Sequence, residues 1–227
     1  MIGVFLCSAV FSQDAKSWSG WSNKDADKIL NNSAWGQSLM KGEAPIELRV
    51  RNAGNPNPQL GDPGPVKVPS EIYLRVRFIT AKPIREAFAS KIWQSQPDPT
   101  PELKEQLQTI VDNGFGDLIV VAVNVEGQNP QTVRQALQGL MRLKTEELAD
   151  KVYLERNDKK RLPLVEYRIP SADNMGGKFI FARSLDGGPF LTPETDSVRF
   201  VMNLSDNLKI NLKFSVSKMM YGDKLEY

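Results

Sequence analysis

The chain has 227 residues, of which 41% are hydrophobic and 25% charged, an ordinary globular composition that suffices for a sizeable core. Its 29 basic and 27 acidic residues leave a formal charge of +2, which argues against a nucleic-acid-binding protein because such proteins carry clustered excess cation. Histidine is absent and Cys7 is the only cysteine. This excludes Ser-His-Asp and Cys-His catalytic units and the usual zinc, copper and haem ligand sets, so we expect no cofactor.

Residues 1–12 have the features of the end of a secretory signal. An apolar run of about ten residues, too short to span a bilayer, ends in Val10-Phe11-Ser12, where signal peptidase expects small or slim residues. The basic residues that usually precede such a run are missing, and the alternative is a buried N-terminal strand or helix. We expect export to the periplasm or the extracellular space, and a mature chain, residues 13–227, without Cys7 and without a membrane span.

The first elements after this leader are a helix and a strand. Ser22 is a good helix N-cap, and the helix dipole favours the negative charge of Asp25 in the first turn. The helix carries a short apolar stripe of Ala26, Ile29 and Leu30. Alternation of apolar and polar residues predicts a half-buried strand over 45–51.

Residues 52–70 contain five prolines, three glycines and three asparagines, which predicts a long exposed loop. A second alternating strand is predicted over 71–80. We expect these two strands, 45–51 and 71–80, to pair across the loop as a long-armed hairpin.

Three helices and a central strand are predicted next. Pro83 opens the first helix, whose inner face is Ile84, Ala87, Phe88 and Ile92. Thr100 begins the second, which has Leu103, Leu107, Ile110 and Val111 at helical spacing, and Asn113-Gly114 gives it a left-handed stop. Residues 117–126 are apolar on both faces and predict a central strand. Asn129-Pro130 opens the third helix.

From about residue 150 the chain turns to strands joined by short polar turns, which predicts antiparallel pairing. The order of elements is not a regular βαβ alternation. We therefore predict an α+β fold: a largely antiparallel sheet with three to four helices packed mainly on one face. One domain over 13–227 is expected, and a division near residue 145 into two lobes is the alternative.

The start of the chain resembles that of a group of short secreted proteins from acidobacteria, in which a tryptophan-flanked helix follows the signal peptide. The shared pattern is Trp18-x-x-Trp21-Ser22-x-Lys24-Asp25-Ala26-x-Lys28-Ile29-Leu30-x-x-Ser33-x-Trp35. Residues 76–87 and 177–183 are similar to later blocks of that group. The resemblance implies a secreted bacterial protein; the group has no assigned activity, so it supplies no site residue.

Two sets of side chains are candidates for binding. Trp18, Trp21 and Trp35 flank the first helix, where exposed rings would stack on a carbohydrate or a partner. Their alternative role is to clamp the short helix to the body, with Trp21 packing on Ala26. The second set points outward on the two predicted strands and consists of Arg49, Arg51, Arg75 and Arg77. These arginines would bind a carboxylate, phosphate or sulfated ligand. The alternative is that they are simply solvated or paired with acidic residues.

The leading functional hypothesis is an exported, non-enzymatic domain that binds a protein, small molecule or glycan in the periplasm or cell envelope. A small polysaccharide hydrolase is the first alternative, and it needs two carboxylates roughly 5 to 9.5 Å apart. The acidic candidates for it are Glu102, Glu105, Glu146, Glu147 and Glu166. A subunit of a secreted assembly is the second alternative.

Overall fold

A computed structural model describes residues 17–41, 46–48, 66–68, 71–205 and 208–227. Its helices are α1 Asn23–Asn31, α2 Lys82–Ser95, α3 Pro101–Asp112, α4 Pro130–Met141 and α5 Thr145–Leu148, with 3-10 turns at Trp18–Gly20 and Val216–Lys218. Its strands are β1 Gly36–Lys41, β2 Ile46–Leu48, β3 Val66–Val68, β4 Ile72–Phe78, β5 Leu118–Gly127, β6 Val152–Arg156, β7 Arg161–Pro163, β8 Glu166–Arg168, β9 Gly177–Ala182, β10 Ser184–Leu185, β11 Gly188–Pro189, β12 Ser197–Ser205, β13 Leu208–Ser215, β14 Met220–Tyr221 and β15 Lys224–Leu225.

Two main sheets form the body of the molecule. One has five strands in the order β1-β4-β5-β9-β8, and the other has four in the order β13-β12-β6-β7. Every pairing between described strands is antiparallel. The predicted α+β class and its antiparallel character are therefore confirmed, as is β5 as a central strand between β4 and β9.

The five-stranded sheet has one face toward the second sheet, which we call the inner face, and one toward the helices, the helix face. The inner face carries Leu74, Val76, Phe78, Val121, Val123, Phe179 and Phe181, because these residues alternate along paired strands in one register. Phe78 packs edge-on against Phe214 of β13, and Phe179 against Phe200 of β12. The helix face carries Arg75, Arg77, Ala122, Asn124, Glu126 and Lys178.

Helices α1 and α2 pack together over the helix face, and α3 packs against α2. Arg77 of the helix face donates to the backbone oxygen of Leu30 at the end of α1, and its guanidinium lies over the ring of Phe88 in α2. Helix α4 does not share this position. Tyr167 occupies an inner-face position of β8, and its hydroxyl donates to Leu140 O of α4. No described helix combines the length and apolar composition that crossing a bilayer requires.

The local sequence accounts for two helix starts. Ser22 caps α1 as predicted: its hydroxyl accepts from Asp25 N, and the Asp25 carboxylate accepts from Ser22 N, which completes a capping box. Thr100 caps α3 in the predicted way by accepting from Leu103 N. The predicted left-handed stop at Asn113-Gly114 is wrong. Asn113 is extended, and the positive φ of +57° belongs to Gly116.

The predicted long-armed hairpin is wrong. Strand β4 pairs with β1, which the sequence did not indicate, and with β5. Residues 46–48 pair instead with 66–68, so the loop predicted over 52–70 contains a strand near its end. The alternation of apolar and polar residues identifies a strand but does not specify which strand it pairs with, which explains this error. The rest of that predicted loop, like the predicted leader 1–12, lies outside the described residues.

Candidate functional site

The predicted arginine patch is not assembled as a free cationic surface. Arg77 is 3% exposed and donates from Nη2 to Glu126 Oε1 at 3.1 Å. Arg75 donates from Nε to the other oxygen of the same carboxylate at 2.8 Å, and from Nη1 to Ser38 Oγ. Both guanidinium groups therefore pair with the single carboxylate of Glu126 on β5, although one carboxylate balances only one of the two positive charges. Arg49 and Arg51 lie outside the described residues.

The tryptophans hold the N-terminal turn and α1 against the body. Trp18 is 3% exposed, donates to Gln108 Oε1 of α3, and packs edge-on against Trp93 of α2. Trp35 is also buried and donates to Glu226 O at 2.8 Å. These two rings present no face to a ligand, so the predicted aromatic platform is wrong for them. Trp21 is half-buried and packs against both hydrophobic clusters of the core.

An apolar groove lies between α2 and α3, and sequence analysis did not identify it. Its volume is about 330 Å³, within the range of small-molecule sites. The lining comes from Ile79 before α2, from helices α2 and α3, from the segment after α3 and from Met175, and we call this site the α2–α3 groove. Its residues are Ile79, Arg85, Phe88, Ala89, Ile92, Leu107, Ile110, Asn113, Gly114, Phe115 and Met175.

Three large hydrophobic side chains of this groove remain accessible to solvent. Ile92 is 41% exposed, Ile110 53% and Phe115 40%. Single exposed hydrophobic residues are common on protein surfaces, but three that line one concave site form an exposed apolar patch. Such a patch indicates a binding site or an interface.

The groove arises because α2 and α3 carry more apolar surface than their mutual contact buries. Ala89 of α2 and Leu107 and Val111 of α3 form the buried contact between the helices. Ile92 and Ile110 were predicted to face the core, yet they lie beyond that contact. The sequence signal for the groove was the width of the apolar stripe on each helix. Which part of a stripe stays uncovered depends on how α2 and α3 pack against each other.

Arg85 is the charged residue of the groove lining, and two of its donor groups are already used within the protein. Its Nε donates to Val111 O at 2.9 Å, and its Nη1 donates to Thr80 O. Burial lowers the pKa of its guanidinium, while the nearby carboxylates of Glu226, Glu86 and Asp112 act in the opposite direction. Arg85 thus holds the start of α2 to the end of α3.

A separate polar cluster joins the start of α2 to the C-terminal hairpin β14–β15. The Tyr221 hydroxyl donates to Glu86 Oε2, and Lys82 N donates to Glu226 Oε2 at 2.9 Å. Burial raises the pKa of the Glu86 carboxyl above its ordinary value and also raises that of Tyr221. Glu226 thereby supplies the N-terminal cap that Ala81, which has no polar side chain, cannot give to α2.

No protein-family model matches the chain, and the search of curated proteins gives no match. Among solved structures, a protein of unknown function from Burkholderia pseudomallei K96243 is similar, with a TM-score of 0.39 and 12% sequence identity. The similarity covers 62% of this chain and 72% of that one. A likeness at this TM-score carries no argument about function, which therefore has to be argued from the groove.

Proposed function

We propose that the chain is an exported, non-enzymatic domain that binds a ligand or partner through the α2–α3 groove in the periplasm or cell envelope. The observation that carries the proposal is the exposure of Ile92, Ile110 and Phe115 around one concave site. Leaving these side chains in water forgoes about 25 cal/mol for each Å² of apolar surface that a bound molecule would cover.

The composition of the lining supports binding over hydrolysis. A carboxylate-dependent hydrolase needs two carboxyl groups facing a substrate cleft. Among the described residues that line the groove none is acidic; its polar members are Arg85 and Asn113. Of the acidic candidates from the sequence, Glu166 accepts from Arg168 Nε at 2.7 Å on the surface. The hydrolase therefore stays an untested alternative without support from this site.

The groove is tested by placing a charge at its rim. Wild-type protein and the Ile110→Glu variant are incubated with envelope extract, and the retained components are identified by mass spectrometry. Because Ile110 is exposed, the variant should fold, while its carboxylate disfavours apolar contact. Gln106→Glu, an exposed position on the same helix and outside the lining, is the matched control.

We expect one or more components to be retained by the wild type and by Gln106→Glu and to be lost from Ile110→Glu. Equal retention by all three proteins would place binding outside the groove. Turnover of a glycan without any retained component would instead establish the hydrolase alternative.

Export is tested independently of the groove. It is supported by the apolar run of residues 1–12 and by the resemblance to secreted acidobacterial proteins. We expect the chain recovered from the periplasmic or extracellular fraction to have the intact mass of residues 13–227. Recovery of a cytoplasmic protein that retains residues 1–12 would overturn this part of the proposal.

A further inference from the structure

The α2–α3 groove can be assigned a class of ligand from the charges around it. We infer that it binds the alkyl chain of an uncharged amphiphile, a neutral hydroxyl- or ester-bearing lipid or alcohol, in preference to a charged one. This inference rests on the proposed function, because it takes the groove to be the binding site. Three observations carry it: the apolar lining, the donors of Arg85 that already bind backbone oxygens, and the position of Asn113.

The apolar lining fits a hydrocarbon chain. Eight of the eleven lining side chains belong to alanine, isoleucine, leucine, methionine or phenylalanine. Phe88 and Phe115 supply large apolar surfaces, and the unbranched thioether of Met175 can adapt to a flexible chain. The volume of about 330 Å³ is roughly twice that of a 150 Å³ apolar cavity that takes up benzene.

The surrounding charges do not favour an ionic head group. The guanidinium of Arg85 already donates to Val111 O and Thr80 O. The groups that act on its charge are the carboxylates of Glu226, Glu86 and Asp112 and the guanidinium of Arg183, and Lys82 in turn contacts Asp112 at 3.2 Å. Of all these groups, Arg85 alone is among the described residues that line the groove. An anion entering the groove would lose hydration for a guanidinium that already donates to two backbone oxygens, and a cation would meet that like charge.

Asn113 supplies the polar contact that a neutral head group needs. It lies directly after α3, is exposed, and lines the groove together with Gly114. Its carboxamide both donates and accepts hydrogen bonds, so it suits a hydroxyl or an ester and gives a carboxylate no charge to pair with. An alkyl chain among the hydrophobic side chains would place its neutral head beside this residue.

The test uses three probes with the same ten-carbon chain: 1-decanol, decanoate and decylamine, at pH 7.5. Each displaces N-phenyl-1-naphthylamine, an uncharged probe whose fluorescence rises in apolar sites, from the full chain. We expect 1-decanol to bind at least tenfold more tightly than either ion. Asn113→Ala should weaken 1-decanol binding by about threefold to tenfold, the loss of one neutral hydrogen bond.

The two proposals fail in different ways. If the wild type does not enhance the fluorescence, or if Ile110→Glu binds the probe as well as the wild type and Gln106→Glu do, the proposed function is wrong at this site. If the groove binds the probe but decanoate or decylamine displaces it as effectively as 1-decanol, the groove stands and the inference about charge falls. Phe115→Ala, at a second exposed rim position, checks that a loss in Ile110→Glu is not a folding defect.

Discussion

The two faces of the five-stranded sheet are covered by different kinds of contact. On the inner face, Phe179 and Phe181 pack edge-on against Phe200 of the second sheet, and all three are fully buried. On the helix face, Arg77 is equally central but is held by Glu126 and by backbone oxygen. The inner face is covered by these packed rings, whereas the α2–α3 groove lies beside α2. We therefore expect the main contribution to stability between the sheets and, under the proposed function, binding beside the helices.

The largest expected effect is on the inner face. Phe200→Ala removes a fully buried ring between two other rings, so we expect a loss of about 3–5 kcal/mol in the free energy of unfolding, measured by chemical denaturation. Val165→Ala, at a position 56% exposed, is the control and should change stability by less than about 0.5 kcal/mol. A loss below about 1.5 kcal/mol for Phe200→Ala would mean that the contact between the sheets is not the main core.

A smaller but clear loss is expected on the helix face. Arg77→Met leaves Leu30 O and Asn31 Oδ1 without their donor, and we expect about 2–3 kcal/mol of destabilisation. The expected loss of stability is smaller than for a fully buried ion pair because the Glu126 side chain is 40% exposed. Arg168→Met, which breaks an exposed pair with Glu166, should lower stability far less than Arg77→Met. Equal costs for both variants would contradict a buried role for Arg77.

The link between α2 and the C-terminal hairpin should contribute less again. Glu226→Ala removes the acceptor of Lys82 N, and we expect a loss of about 1 kcal/mol, typical of a helix N-cap. The hydrogen bond from the Trp35 indole Nε1 to the backbone oxygen of Glu226 is retained in this variant. Glu146→Ala, an exposed residue in the first turn of α5, is the comparison and should have little effect. Unchanged stability of Glu226→Ala would show that α2 does not depend on this cap.

The smallest effect is a change in pH dependence. Burial raises the pKa of Glu86 above its ordinary value of 4.5, so the folded protein holds this proton more tightly than the unfolded chain. The stability that this provides is complete below pH 4.5 and is lost as the pH rises through the pKa of the folded state. Glu86→Gln should therefore reduce the decline in stability between pH 4.5 and neutrality, measured by denaturation at several pH values.

Glu155 provides the opposite control. A hydrogen bond from Arg161 lowers the pKa of Glu155, so its contribution is present above the ordinary pKa and is lost as the pH falls. Glu155→Gln should therefore reduce the loss of stability as the pH falls, on the acid side of the profile, whereas Glu86→Gln reduces the loss as the pH rises. Identical pH profiles for the wild type and Glu86→Gln would contradict the burial of an ionisable Glu86.

Part of the site was predictable from the sequence, and part was not. The periodicity of α2 and α3 placed Phe88, Ile92, Leu107 and Ile110 on apolar stripes, which is where the groove lies. The sequence could not show that Ile92 and Ile110 remain uncovered, because this depends on the position of α3 against α2. The alternation that places Arg75 and Arg77 opposite the apolar face of β4 was correct, but the sequence did not show that both pair with Glu126. Arg49 and Arg51 lie outside the described residues, so their part of the patch stays a prediction.

What the sequence determined by itself was local: the capped starts of α1 and α3, the doubly apolar strand β5 and the antiparallel strands after residue 150. These follow from periodicity and capping, which act over a few residues. What only the tertiary structure decided was the pairing of β4 with β1, the burial of Trp18 and Trp35, and the opening beside α2. Each depends on contacts between residues distant in sequence, and neither alternation nor helical spacing specifies which distant surface will cover a given face.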